Sequence, residues 1–369
     1  MISIADQLRG KKVSWGRIAK RSGISLPRIN EIVGGAQANL SEVRKIAEAL
    51  KLPLSSLLQG ESGARSVDLL FRQSLYSGGD PFNQYQLIGS QIRDIISVIG
   101  EVNSGAEGIK DFQRFAASVA GPELLAEYFR QATQLGDLDP ALQLSRIASE
   151  DLGIVIAFNR DSTIDGVSAI AGGQAVILLG LRSFKPRMLF TLAHELGHLF
   201  AHHGVDENFA VVDGHGVGDI RPPRKKEEKF ADDFASALLL PPAGVLRLLN
   251  FVRDKYQVSG PLGDIEILTL ARFYGVSFEV AARRCEQLEL LPKGGAWALY
   301  QTLCGQHGNP ERRADQLGLS ARPEIEISTS ASLLQRAVEK VKAGDLSIGR
   351  AAELINVPAA LLMATNSRT

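Results

Sequence analysis

The chain has 369 residues, of which 45% are apolar and 22% charged, and its formal net charge is zero. Such a length is a prior for two or three domains, and such a composition excludes disordered and fibrous classes. No apolar run is long enough to span a bilayer, the opening MISIADQLRGKK lacks the apolar core of a signal peptide, and two cysteines, Cys285 and Cys304, form no disulfide framework, so a cytoplasmic protein with no membrane segment is expected.

The charge is unevenly spread. Residues 1–60 carry ten Lys/Arg against four Asp/Glu, leaving 31 against 37 for the remainder. A basic module on an acidic body points to an anionic partner for the module, such as DNA. Within it, short helices are expected near Ile4–Leu8 and over Trp15–Arg21, Leu26–Val33, Ser41–Leu50 and Leu54–Leu58, with Gly23 and Gly34-Gly35 as stops and Ser41 as an N-cap. The Gly-rich stretch QGESGARS at 59–66 opens a linker, taken as 61–84. Residues 85–140 read as a helical connector, since Ile88, Ile92, Ile95, Ile96 and Ile99 repeat at a helical period.

The pattern changes near residue 150. Gly153–Phe158, Gly166–Ile170 and Gln174–Leu179 are short β-branched runs, the last two separated by Gly172-Gly173, so a small three-stranded sheet with one hairpin is expected. A long helix opened by Pro186 runs to about His203. A Gly/Asp/Pro-rich loop covers 204–223, and a second long helix, Arg224–Leu240, stops at Pro241-Pro242. A helix pair follows over 264–291, closing a domain taken as 141–291. Residues 292–369 form a helical C-terminal region in which 331–364 make a small unit, a candidate for homodimerisation or docking. The fold class is α+β, mostly α. A faint echo, A-x3-G-[IV]-S, recurs at Ala19–Ser25 and Ala271–Ser277 and loosely at Ala352–Val357, with Asn356 in the glycine place. It reads as a shared way of turning between two helices.

The chemistry concentrates in His194-Glu195-Leu196-Gly197-His198, set in the apolar helix RMLFTLAHELGHLFAHH. On a helix, positions i and i+4 share a face, so both imidazoles converge on one ion, with Glu195 beside it. A pair of surface histidines is the bland reading, but Leu192, Ala193, Leu196, Leu199 and Phe200 bury this helix, and unpaired polar groups are costly there. Zinc takes three protein ligands at a catalytic site and keeps a fourth position for water. The second long helix offers the third ligand. Glu228 and Asp232 lie one turn apart, so Glu228 suits the metal while Asp232 accepts a hydrogen bond from a ligating histidine and fixes its tautomer. Glu227, Asp233 and His202 are rivals for the ligand role. His202, at i+8 from His194, fits a supporting place behind the ligands, and His215 in the loop is a candidate substrate contact. Glu195 is the candidate general base. The Gln174–Leu179 strand is the expected cleft edge, to which an extended peptide adds as a further strand.

HELGH preceded by LFTLA, and ExxADxFASALLLP at 228–241, together resemble the ImmA/IrrE family of zinc metallopeptidases over about residues 140–290. The resemblance implies a thermolysin-like zincin core, Zn2+ on His194, His198 and Glu228, and Glu195 as catalytic residue. It also implies an endopeptidase that cuts a partner repressor carrying a helix-turn-helix, which derepresses stress, mobile-element or defence genes. RIAKRSGISLPRINEIVGG at 17–35 and LSEVRKIAEALKLPLSSLL at 40–58 resemble a Cro/repressor-like helix-turn-helix. That arrangement lays Leu26–Val33 in the major groove, with Arg28 and Asn30 towards bases, Lys20, Arg21 and Lys45 on phosphates, and Ser25 beside them. Leu26 and Pro27 depart from the pattern, because neither side chain donates a hydrogen bond to a base edge. The competing class is a helix-turn-helix regulator whose peptidase-like part only senses or binds. An intact Glu195 favours the enzyme, since a scaffold has no need of it.

Overall fold

The computed structural model describes residues 15–50, 81–100, 107–119, 121–160, 164–203, 209–213 and 226–366. The expected helices at Ile4–Leu8 and Leu54–Leu58, the linker 59–66, His215 and most of the loop 204–223 lie outside the described residues. The chain divides into two compact units, Met1–Ser66 with Asp80–Gln86, and Val67–Gly79 with Leu87–Thr369.

In the first unit α1 (Trp15–Ser22), α2 (Leu26–Gly34) and α3 (Leu40–Leu50) enclose a small core of Ile18, Ile29, Ile32, Val43 and Ile46. Gly23, at φ 67°, turns the chain between α1 and α2. The cap of α3 is Asn39 rather than Ser41. Asn39 Oδ1 accepts from the Glu42 amide at 2.8 Å, and the Glu42 carboxylate accepts from the Asn39 amide at 2.9 Å. This reciprocal box satisfies two amide donors at the helix start, which a lone Ser41 inside the first turn cannot do.

From Leu87, within α4 (Pro81–Ile99), the second unit runs on through α5 (Glu107–Ser118), α6 (Pro122–Ala132) and the short α7 (Leu144–Arg146), which continues into a π turn over Ile147–Asp151. Then come β1 (Val155–Phe158), β2 (Gly166–Ala171), β3 (Gln174–Leu179), α8 (Lys185–Ala201), β4 (Phe209–Asp213) and α9 (Lys226–Leu239). Helices α10 (Pro242–Tyr256), α11 (Asp264–Tyr274), α12 (Phe278–Gln287), α13 (Gly295–His307), α14 (Pro310–Gln316), α15 (Ala331–Lys342), α16 (Ile348–Ile355) and α17 (Ala359–Asn366) complete it. Among the described residues no single helix is long and apolar enough to cross a membrane.

The three expected strands form, and β4 joins them, giving the order β1-β3-β2-β4. Gly172 and Gly173 both take positive φ, 57° and 76°, the two-residue turn whose twist suits the β2–β3 hairpin. β1 runs parallel to β3, whereas β2 is antiparallel to both β3 and β4. Gln174–Leu179 is therefore an interior strand, not the cleft edge expected from the sequence: its backbone is paired on both sides. The far side of β1 is also covered. The Ile156 amide donates to Ser330 Oγ at 2.7 Å, the Ser330 amide donates to the Ile156 carbonyl at 2.9 Å, and Gln91 and Asn356 both donate to the Phe158 carbonyl.

One continuous core runs from Ile109 to Ile327 and joins residues of the expected connector, the central domain and the C-terminal region. Phe112 stacks on Phe200 at 4.7 Å between ring centroids, and Phe129 and Phe234 each approach Phe200 at 5.9 Å. Burying a ring of this kind contributes on the order of 2–3 kcal/mol, which fixes α8 against α5, α6 and α9. Gly197 permits the closest approach: a side chain there would meet Phe234 at 3.0 Å and the Ala231 backbone at 3.2 Å. The three echoed corners share one geometry, with Gly23, Gly275 and Asn356 all at φ between 55° and 71°.

Candidate metal centre

α8 starts at Lys185 with Pro186 in its first turn, a position where proline costs no hydrogen bond, and is buried almost continuously from Met188 to Phe200. Its period turns His194 and His198 to one side, and α9 packs against that side with Glu228 in its first turn. His194 Nε2 and His198 Nε2 stand 3.0 Å apart. Glu228 Oε2 lies 3.6 Å from His194 Nε2, and Glu228 Oε1 lies 3.8 Å from His198 Nε2. These three side chains are the one group of metal-binding character among the described residues.

The donor set fits a divalent cation. Bonds of about 2.0–2.1 Å in a tetrahedral array separate neighbouring ligands by roughly 3.3 Å, close to the three spacings here. Two imidazole lone pairs and a carboxylate converge in a buried place, and a shared positive charge is what makes such convergence favourable.

Each histidine is held from behind. His194 Nδ1 is 3.0 Å from Asp232 Oδ1, and both side chains are fully buried. With the proton on Nδ1, donated to Asp232, Nε2 keeps its lone pair for the ion. His198 Nδ1 is 2.8 Å from His202 Nδ1, and the His202 ring meets Phe230 edge-on. His202 thus stands behind His198, on the side away from Glu228. Asp233, a rival ligand in the sequence, instead accepts from Gln287 Nε2 at 2.7 Å and pairs with Lys229.

Glu195 follows the first ligand and is fully buried. Neither carboxylate oxygen makes a hydrogen bond of good geometry. Burial pushes its pKa from 4.5 up to about 7; the His194 ring and the nearby Ser168 hydroxyl pull it down, while Glu228 and Asp165 push it further up. In the metal-free protein the folded state therefore binds this proton more tightly than the unfolded chain does, and stability falls as pH rises from about 4.5 to 7. Glu195→Gln, which carries no charge to desolvate, is expected to stabilise the metal-free protein by about 2–3 kcal/mol at pH 8 and to change little at pH 4. Denaturant titrations at both pH values check this; equal effects at the two would show that charge is not the source.

Several neighbours carry no motif. Arg283 Nη1, on α12, lies 3.3 Å from Asp232 Oδ2 and balances its buried charge. Ser168 Oγ, on β2, lies 3.3 Å from His203 Nε2. Gln113, on α5, donates to the carbonyls of Leu199 and His203 at 3.0 and 3.1 Å, closing the end of α8. In the first unit Lys20, Arg21, Ser25, Asn30 and Lys45 are exposed. Arg28, expected towards bases, is engaged within the unit: Nε and Nη2 donate to Glu42 at 2.8 and 3.1 Å, Nη1 donates to Glu31 at 3.0 Å and Nη2 also donates to the Gln37 carbonyl. A guanidinium facing two carboxylates serves the junction of α2 and α3.

His194, His198 and Glu228 form a group with the spacing to hold a metal ion, and a buried carboxylate, Glu195, lies beside it. Residues 149–286, which contain all four side chains, match the family model of the IrrE N-terminal-like domain of peptidase family M78. That match supports the ImmA/IrrE family and a metallopeptidase-like domain. No curated protein matches the chain.

Proposed function

We propose that the chain is a cytoplasmic zinc-dependent endopeptidase that cleaves a repressor of the helix-turn-helix class and so derepresses the genes that repressor controls. The observation that carries this reading is the convergence of His194 Nε2, His198 Nε2 and a Glu228 carboxylate within 3.0–3.8 Å, with Glu195 buried beside them. Zn2+ held there supplies Lewis acidity towards water and towards a peptide carbonyl. His194, His198 and Glu228 hold the ion. Asp232 fixes the tautomer of His194, and Arg283 holds Asp232. Glu195 takes a proton from the attacking water as the water oxygen bonds to the carbonyl carbon. It returns that proton to the departing amine as the carbon–nitrogen bond breaks.

The test is incubation of the full zinc-loaded chain with purified repressors of the helix-turn-helix class from the same cell. Two fragments of one repressor are expected, and none after chelation. Repressors that all stay intact in the presence of zinc overturn the reading. The first unit suits DNA through Lys20, Arg21 and Lys45, which reach phosphates, while Arg28 is occupied by Glu42. Similar affinity for unrelated duplexes, falling steeply with salt, is the expected result of a binding titration. A strong preference for one operator would instead require base readout.

A further inference from the structure

Gly166 opens β2 with an ordinary extended backbone, for it is absent from the glycines at positive φ. Its conformation does not call for glycine; its surroundings do. A Cβ at Gly166 would stand 2.5 Å from Glu195 Oε1, 2.6 Å from Thr191 Cγ2 and 2.9 Å from Glu195 Cγ. Gly108, Gly180 and Gly244 are as crowded, but they face backbone carbonyls and the Tyr274 hydroxyl. Only at Gly166, among the described glycines, is the obstructing atom the carboxylate of the candidate base.

The strand and the helix on the two sides of this contact are both held, so the part that yields to a side chain at 166 is the Glu195 carboxylate. Gly166 is paired with Leu179 of β3 and Asp213 of β4. Thr191 and Glu195 are one turn apart on α8, both buried, and that helix is clamped by the Phe200 cluster. Close-packed interiors transmit such a displacement rather than absorb it. Ser168, two residues along and so on the same face of β2, continues the seat and is steadied by His203 at 3.3 Å.

We propose that Gly166 is a positioning residue of the peptidase site: its missing side chain sets the place of the Glu195 carboxylate beside His194 and His198. The proposal rests on the reading of Glu195 as general base. A side chain at 166 drives the carboxylate away from the reacting atoms while leaving the three metal ligands on their own contacts.

The probe is acetohydroxamate, a small zinc chelator that also exchanges a hydrogen bond with an adjacent carboxylate. Its affinity for the zinc-loaded full chain is measured by calorimetry for the wild type, Gly166→Ala, Glu195→Ala and the double variant, with zinc content determined for each. Gly166→Ala and Glu195→Ala are each expected to weaken binding by on the order of tenfold at unchanged zinc content, the worth of one charge-assisted hydrogen bond. The double variant is expected to bind no more weakly than Glu195→Ala alone. A glycine that mattered only to the fold would lower affinity by the same factor in both backgrounds.

Wild-type affinity in Gly166→Ala, or an additive loss in the double variant, overturns the proposal. Should Gly166→Ala fail to fold or lose zinc, Gly166→Ala combined with Thr191→Ser, which opens the second contact, takes its place in the cycle. Zinc loss in that variant as well overturns the proposal, since the residue would then serve the fold or the ligands. An affinity indifferent to Glu195→Ala marks failure of the general-base reading itself, whereas a loss in Glu195→Ala without one in Gly166→Ala marks failure of the seat alone.

Discussion

Replacing Glu195 by glutamine is expected to slow repressor cleavage by about 10²–10⁴-fold while zinc content stays unchanged. The two side chains have nearly the same shape, so the amide fits the space bounded by Gly166 and Thr191. The three ligands and the Asp232 contact to His194 do not involve Glu195. What glutamine lacks is a group able to take a proton from water and release it to an amine. Loss of turnover without loss of metal is thus the signature of a proton carrier, and the two readings come from the same preparation, by timed electrophoresis and elemental analysis. Turnover within tenfold of the wild type would remove Glu195 from the mechanism. The raised pKa sharpens the expectation: the buried charge that Glu195→Gln removes is a burden to the metal-free fold. The variant is therefore both the less active and, above neutral pH, the more stable metal-free protein, a trade-off common at active sites.

The parts of this site that could be read from the sequence are those that obey a helical period. His194 with His198, and Glu228 with Asp232, are each spaced by four, so sequence alone puts each pair on one face. That the two faces meet is a tertiary fact, and Gly197 and the aromatic cluster around Phe200 bring it about. Arg283 lies 51 positions from Asp232, and no local pattern announces the contact. Strand identity was legible from β-branched runs and the β2–β3 hairpin from Gly172-Gly173, but the places of β1 and β4 in the sheet were not. Because β1 enters parallel to β3, Gln174–Leu179 becomes an interior strand and the edge moves elsewhere. β4 lies in a stretch whose Gly, Asp and Pro content argues for a loop, and pairing with β2 overrides that composition. Arg28 shows the limit of reading charge alone: a cation in a basic module looks available to DNA until Glu42, 14 residues away, is found to occupy it. The domain taken as 141–291 follows the run of strands and helices and the span of the family resemblance, neither of which marks where a core ends; Ile109 and Ile327 belong to the same one.

Zinc itself is expected to be a major source of stability for the second unit. The metal binds three side chains that come together only in the folded chain, so it stabilises by mass action: at free zinc about 1,000 times the dissociation constant, the gain is about 4 kcal/mol. For a unit of this size that corresponds to a rise of roughly 10 °C in Tm over the chelated protein. His194→Ala should abolish the rise, because the remaining imidazole and carboxylate lack the geometry to hold the ion. Asp232→Ala should retain part of it. Loss of the Nδ1 acceptor frees the ring and the tautomer of His194 and weakens zinc by about 10–100-fold, which trims the gain by some 1–3 kcal/mol. The graded order, wild type above Asp232→Ala above His194→Ala, separates a metal site from a mere cluster of buried polar groups, for which zinc would change nothing in any of the three. Thermal unfolding with and without zinc, followed on the transition of the second unit, reads all three. A wild-type Tm indifferent to zinc, or a zinc-dependent rise that survives His194→Ala, would mean that these side chains meet for some reason other than a shared ion.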